Sequence, residues 1–177
     1  MSHPNCVKCD NYGLGMCCQL VDTNTSVKTL SVAAQRVYAL IQATSAGPVP
    51  RMNMVSADQS AIDHLNRAGL TKKTEHKYVE NLWDKPITRT TVAHRVVAPK
   101  DAKPFFKDVL SAMQAPLSAK ALLDHFKPKP WAQADCLRLL LAYAEVHGLI
   151  NVIKKSNTTS YQLSPTGHAF LAQGETQ

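Results

Sequence analysis

The sequence lacks the motifs that mark the common classes of enzyme. None of the patterns G-x-x-x-x-G-K-[ST], G-x-G-x-x-G, H-E-x-x-H and G-x-S-x-G occurs in its 177 residues. Acidic residues are few, 13 against 20 Lys and Arg, and they are dispersed, so the sequence does not indicate a metal-dependent nuclease centre. The 7 histidines are scattered and do not show the spacing of a nucleophile and its base. We therefore expect a protein that is not an enzyme.

Long apolar runs are absent as well. No stretch of about eighteen apolar residues occurs, so no membrane span is expected. The first residues also lack the basic region, apolar run and small-residue cleavage site of a secretory signal. The apolar fraction of 45% is enough for a buried core that does not depend on disulfides. We expect a cytoplasmic or nucleoid-associated protein.

Positive charge is present in excess and is unevenly distributed. The net charge is +7, and most of it lies in residues 30–100, where ten Lys and Arg face five acids. Residues 101–177 hold eight basic side chains against six acidic ones, and residues 1–29 are balanced. A basic region of this kind favours a polyanionic partner, although charge of this size also serves solubility.

Four of the five cysteines lie close to the N-terminus, in the segment CVKCDNYGLGMCC. Cys6 and Cys9 have the Cys-x-x-Cys spacing that binds one tetrahedral ion, and Cys17 and Cys18 complete a four-thiolate set suited to structural zinc. Adjacent cysteines seldom bind the same metal, so His3 is an alternative ligand. An iron–sulfur or redox-switch site and an unliganded tail are the other interpretations.

The second half of the chain shows a clear order of elements. Apolar spacing predicts helices from Phe106 to Met113, from Ser118 to Phe126 and from Trp131 to His147. Gly148 stops the third helix, and strands are predicted from Leu149 to Lys155 and from Ser160 to Leu163.

A similar pattern precedes it. Ser31 caps a helix that ends before Gly47, and a degenerate helical turn is expected between Arg51 and Val55. Ser56 is expected to cap a second helix that stops at Gly69. Leu70 to Val79 and Ile87 to Val97 then form a basic hairpin around residues 81–86. The alternative is a helix from Thr74 to Trp83, with Trp83 in the core.

These two patterns resemble the winged helix-turn-helix superfamily. The resemblance implies an α+β fold, mainly α with small β-hairpins, in two winged-helix modules at residues 30–100 and 101–177, preceded by the cysteine-rich segment of residues 1–29. It further implies a protein that binds double-stranded DNA, such as a transcriptional regulator or a replication accessory factor. Winged helices also bind proteins, so a protein-binding adaptor or inhibitor is the alternative.

The DNA contacts were assigned from residue type and position. The outward face of the second helix offers four residues to base edges: Gln59, Ser60, His64 and Arg67. Basic side chains of the two wings are expected to contact phosphates: Lys72, Lys73, Lys77, Arg89, Arg95, Lys154 and Lys155.

The helix in residues 131–147 departs from the family pattern because it is apolar nearly all round. Such a helix is buried, and its partner is the first module, a second copy of the chain in a homodimer, or another protein. Cys136 within it is expected to be a plain core residue. A third functional possibility is a redox or metal sensor in which the N-terminal cysteines control DNA binding.

Overall fold

The computed structural model describes residues 29–83 and 85–173. The first half of this part holds helix α1 (Val32–Ser45), strand β1 (Val49–Pro50), a 3-10 turn (Arg51–Asn53), helix α2 (Ser56–Arg67) and strands β2 (Thr71–Leu82) and β3 (Lys85–Val96). A second 3-10 turn (Pro99–Asp101) leads to helix α3 (Pro104–Ala112), strand β4 (Leu117–Ser118), helices α4 (Ala119–Phe126) and α5 (Ala134–Val146), strands β5 (Ile150–Lys155) and β6 (Thr158–Leu163), and helix α6 (Pro165–Gln173). The α+β class predicted from the sequence is confirmed.

The same arrangement of strands occurs in both halves. Each half has a three-stranded antiparallel sheet in which the short first strand pairs with the last one, giving the orders β1-β3-β2 and β4-β6-β5. Val49 lies opposite His94 in the first sheet, and Leu117 lies opposite Tyr161 in the second. The halves differ where the 3-10 turn of the first half takes the place of α4, so the expectation of a degenerate turn there is confirmed.

Local signals account for most of the helix ends. The side chains of Ser31 and Ser118 accept hydrogen bonds from the backbone N–H groups of Ala34 and Ala121. The N-cap predicted at Ser31 is therefore confirmed, and Ser118 caps α4 in the same way. Ser56, expected to cap α2, is instead its first helical residue and follows Val55, which makes no side-chain cap bond. This cap prediction was wrong because the chain enters α2 from an extended backbone one residue earlier.

The long hairpin is confirmed, and the alternative helix from Thr74 to Trp83 is excluded. The strands run further than expected, because residues Leu82 and Lys85 still pair and only two residues separate them. In the other half, α5 begins at Ala134 and not at Trp131. The Trp131 side chain is nonetheless buried, stacked on the Phe105 ring at 4.7 Å.

Helix α5 lies at the centre of a core that is continuous between the halves. Eight of its residues are buried, among them Leu140, Leu141 and Tyr143. It packs against α1 and α2 of the first half and against α4 and β5 of the second. A helix that is apolar all round needs neighbours on every side, and the first half supplies the missing ones.

Polar contacts reinforce this packing near the C-terminal end of α5. The backbone N–H and the hydroxyl of Ser31 donate to the two carboxylate oxygens of Glu145, at 3.0 and 2.7 Å. The hydroxyl of Tyr143 donates to the carbonyl oxygen of Val97. The end of the first sheet and the start of α1 are therefore both held by α5.

Candidate nucleic-acid interface

The β2–β3 hairpin is the most prominent feature of the first half. Its strands have 12 residues each, which corresponds to a length of about 40 Å. Near the body of the protein it is supported by β1 and by core residues such as Ala93 and Val96. Farther out, residues 85–90 are all exposed, so the outer half projects as a two-stranded arm.

The register of the hairpin divides the five predicted phosphate contacts between two faces. Residues directly opposite each other in an antiparallel pair point to the same side. Lys72 lies opposite Arg95 and Tyr78 opposite Arg89, which places three of the five cations on one face. The other two, Lys73 and Lys77, lie on the opposite face.

The cation density is greatest at the base of the hairpin. Lys72 and Arg95 are a like-charge pair with exposed side chains, an arrangement that costs stability unless an anion or water screens it. Farther out, Arg89 forms an ion pair with Glu80 at 2.6 Å. The base therefore offers its charge to a partner more readily than the outer arm does.

Lys103 joins this group, although sequence reasoning did not assign it. A cleft of about 590 Å³ is lined by Lys72, Arg95 and Lys103, together with Asp101 and the backbone between Val96 and Ala98. The carbons of the Lys103 side chain lie against Gly69, where a Cβ would come within 2.7 Å of them. In the sequence, Lys103 is a basic residue near the boundary between the two predicted modules. That position alone does not predict which cleft its side chain lines.

The four residues of α2 assigned to base edges have different environments. Ser60 is exposed. Gln59 donates from its side chain to the carbonyl oxygen of Met54 at 2.9 Å, and Arg67 donates to the side-chain oxygen of Gln133 at 3.1 Å. His64 lies with its Nδ1 atom 3.4 Å from the sulfur of Cys136.

Two of these four side chains therefore face α5. The outer side of α2 also carries Asp63, which forms an ion pair with Arg51 at 2.6 Å. A carboxylate in that position disfavours close approach of phosphate. The charge and geometry of α2 are consequently less suited to DNA than those of the hairpin base.

A buried histidine lies in β3, at the base of the hairpin. His94 is 2% exposed, and its Nδ1 atom has no hydrogen-bond partner among the described residues. Burial lowers the pKa of His94, and the positive charge of Lys73 lowers it further. His94 is therefore a neutral core residue, and its charge is not available to a ligand.

The second hairpin offers a smaller basic surface. Lys154 and Lys155 are exposed at the end of β5, opposite Thr159 and Thr158. The strands have six residues each, and the turn passes through Ser156 with a φ of 47°. The structure does not bring these two lysines together with the cations of the first hairpin into one cleft.

The tip of the first hairpin exposes a large aromatic side chain beside polar residues such as Asn81 and Lys85, a feature that the sequence did not indicate. Trp83, which entered the sequence argument only as a core residue of the rejected helix, is 90% exposed. Tyr78, Val79 and Ile87 are large hydrophobic residues in the same outer arm and are also exposed.

The predicted zinc ligands Cys6, Cys9, Cys17 and Cys18, with the alternative ligand His3, lie outside the described residues. Within the described part of the chain, no cluster of three or more His, Cys, Asp or Glu side chains has a metal-binding arrangement. Cys136 is buried and unpaired, and burial raises the pKa of its thiol. The structure thus agrees with its assignment as a core residue.

Across residues 29–83 and 85–173, no helix has the length and apolar character that crossing a membrane requires. Comparison of the chain with protein-family models, with curated proteins and with solved structures finds no match.

Proposed function

We propose that this protein binds double-stranded DNA, with the base of the β2–β3 hairpin as its main phosphate-binding element. The observation that carries the proposal is the cluster of Lys72, Arg95 and Lys103 around one open cleft, where the three cations outnumber the single carboxylate of Asp101. Lys73 lies on the opposite face of the same hairpin. Phosphate contacts of this kind supply affinity and orientation without reading sequence.

The topology supports a winged-helix assignment for both halves. Each half has a helix, a short strand, a helical turn or short helix, a further helix and a hairpin, in that order. The short strand pairs with the second strand of the hairpin. In that assignment α2 is the recognition helix of the first half and β2–β3 is its wing. A small DNA-binding protein of this type suits a transcriptional regulator or a replication accessory factor.

Within this proposal the wing contributes more than α2. Arg67 and His64 contact α5, and Asp63 lies on the outer side of α2. Contacts of α2 with base edges through the exposed Ser60 therefore add to the phosphate contacts that the hairpin makes. We expect modest sequence preference and strong dependence on salt.

The alternative, an adaptor that docks through α5, is not favoured by the packing. Leu137, Leu139, Leu140 and Leu141 are each at most 2% exposed, because α1 and α2 cover the helix. Little apolar surface of α5 remains for a partner or for a second copy of the chain.

The experiment is a titration of random-sequence duplex DNA with the full-length protein at several salt concentrations. We expect binding that weakens steeply with salt, with a log–log slope of about −0.9 for each phosphate contacted. Lys72→Ala with Lys73→Ala should make that slope less steep by the amount expected for about two phosphate contacts. The double variant should weaken binding equally for all sequences.

The matched control is Lys120→Ala with Lys127→Ala, which removes two exposed lysines from the α4 region. It should leave the slope nearly unchanged, although the net charge falls by the same amount. Absence of binding by the wild-type protein at low salt would contradict the proposed function. An equal effect of the two double variants would contradict the assignment to the hairpin.

A further inference from the structure

The outer part of the hairpin has a different character from its base. Trp83 is 90% exposed, Val79 is 63% exposed, and Tyr78 and Ile87 are 43% and 41% exposed. Between residues 75 and 92 the three basic side chains are matched by three acidic ones, so this part carries no net charge. The base can therefore attract phosphates, whereas the tip offers apolar and aromatic contact.

Trp83 occupies a turn position that rarely accepts a large side chain. Its φ is 53°, in the left-handed region that two-residue hairpin turns usually fill with Gly or Asn. An aromatic residue there is held against the local backbone preference. Ser156 has a φ of 47° at the equivalent position of the second hairpin, so the large exposed aromatic side chain is what distinguishes the first turn.

The arrangement matches what an inserting arm requires. A two-stranded β-ribbon fits a groove of duplex DNA, and the phosphates then flank it on both sides. The cations of this hairpin lie on both of its faces, Lys72 and Arg95 on one and Lys73 on the other. A surface that follows one single strand would instead need them on one face. Proteins that bind the minor groove frequently insert apolar side chains between base steps.

We propose that Trp83 is a base-stacking residue, carried by the arm into a groove of duplex DNA and inserted between neighbouring bases. This inference rests on the proposed DNA binding and deepens it. The hairpin base supplies a salt-dependent grip on phosphates, and Trp83 supplies a contact that does not depend on salt. The two contributions are therefore separable by experiment.

The first test compares affinities for a random-sequence duplex at several salt concentrations. Trp83→Asn, which suits the left-handed turn, should weaken binding by about ten-fold and leave the salt slope unchanged. Trp83→Phe keeps an aromatic face and should bind nearly as well as the wild type. Val32→Ala, which shortens a hydrophobic residue that is 83% exposed in α1, is the matched control and should have no effect.

The second test uses tryptophan fluorescence. The chain has two tryptophans, so Trp131→Phe leaves Trp83 as the single fluorescent reporter. Trp131 is only 9% exposed, and phenylalanine keeps an aromatic ring in its place. Saturating duplex should protect Trp83 from acrylamide, a neutral quencher. If Trp131→Phe fails to fold, the comparison of Trp83→Asn with Trp83→Phe in the otherwise native chain decides the question.

Four outcomes would overturn the inference while DNA binding stands. Trp83→Asn could bind as tightly as the wild type, or acrylamide could reach Trp83 equally in bound and free protein. Protection by a single strand but not by a duplex would exclude groove insertion. Conversion of a wild-type dimer to a monomer by Trp83→Asn, seen by sedimentation, would reassign the tip to self-association. Failure of every form of the protein to bind DNA would instead remove the proposed function itself.

Discussion

Packing around Gly167 leaves no room for a side chain. Gly167, in the first turn of α6, is buried. Its neighbours are Leu149, just before β5, and Leu163, at the end of β6. A Cβ at this position would overlap the carbonyl oxygen of Leu149 and lie 2.6 Å from Leu163 Cδ1. Backbone atoms cannot move aside as a flexible side chain can, so the absence of a side chain is a packing requirement.

We expect Gly167→Ala to lower the free energy of unfolding by about 3 kcal/mol, because the added methyl group overpacks this contact. Gly148→Ala is the matched control, since its Cβ meets no atom within 4 Å and only the left-handed φ of 65° opposes it. That variant should cost about 1 kcal/mol. Urea denaturation measures both values, and equal losses would contradict the packing argument.

His94, which is buried, and His147, which is partly buried, make stability depend on pH. Burial lowers the pKa of both His94 and His147 from the ordinary value of 6.5. Above pH 6.5 both are neutral in the folded and the unfolded chain, so they add no pH dependence. Below it the unfolded chain binds protons that the folded chain resists, and stability falls as the pH falls.

The expected result is a lower urea midpoint at pH 5.5 than at pH 7.5. His147→Phe should reduce the difference between the two midpoints, because it removes a titrating group. Phenylalanine keeps a ring against Tyr143, whose ring centroid lies 4.5 Å from that of His147. A midpoint that rises on acidification, or a variant with the full pH dependence, would argue against this role.

The secondary-structure elements obey local rules but differ in how strongly they are joined to the rest. Ser31 and Ser118 are both N-caps with serine side chains accepting a backbone N–H, at 3.2 and 3.1 Å. Only Ser31 also donates to a distant carboxylate, that of Glu145. Ser118 therefore caps the start of α4 only locally. Ser31 caps the start of α1 and also connects α1 to α5.

Ser118→Ala should cost about 1 kcal/mol of stability, the usual value of an N-cap. Ser31→Ala should cost about 2–3 kcal/mol, since it also removes a charge-assisted hydrogen bond. Denaturant titration of the two variants provides the comparison. Losses that agree within error would show that the bond to Glu145 contributes nothing to stability.

The molecule as a whole depends on α5. This helix carries the core of the second half and packs on α1 and α2 of the first, so the hydrophobic core is continuous. The Tyr143 hydroxyl adds a bond to the Val97 carbonyl, beyond the end of the first sheet. Burial raises the pKa of Tyr143, which therefore remains a neutral donor at physiological pH.

We expect residues 30–173 to unfold in a single cooperative transition, with equal calorimetric and van't Hoff enthalpies. Tyr143→Phe should lower the free energy of unfolding by about 1–2 kcal/mol, because the Val97 carbonyl loses its partner. Two separate transitions in the wild-type scan would show instead that the predicted modules, residues 30–100 and 101–177, fold independently.

Local patterning was sufficient for most of the helices and for both hairpins. It did not indicate the short strands β1 and β4, and it placed a cap at Ser56, which is the first helical residue of α2. The apolar spacing of α1, the serine caps and the β-branched residues of the hairpin depend on neighbours a few residues away, and these determine backbone conformation. The buried character of α5 also followed from its composition. The predicted zinc knuckle of Cys6, Cys9, Cys17 and Cys18 stays a prediction.

Only the tertiary structure decided which side chains meet. Nothing near Arg67 in the sequence indicates that Gln133 accepts its hydrogen bond, and nothing near Lys103 indicates that it lines a cleft with Lys72 and Arg95. Trp83 was placed by strand register, which put it at a turn and not in the core. Sequence determines local geometry because its causes are short in range. The positions of the cleft, the arm tip and the covered face of α5 arise from pairing and packing between distant segments.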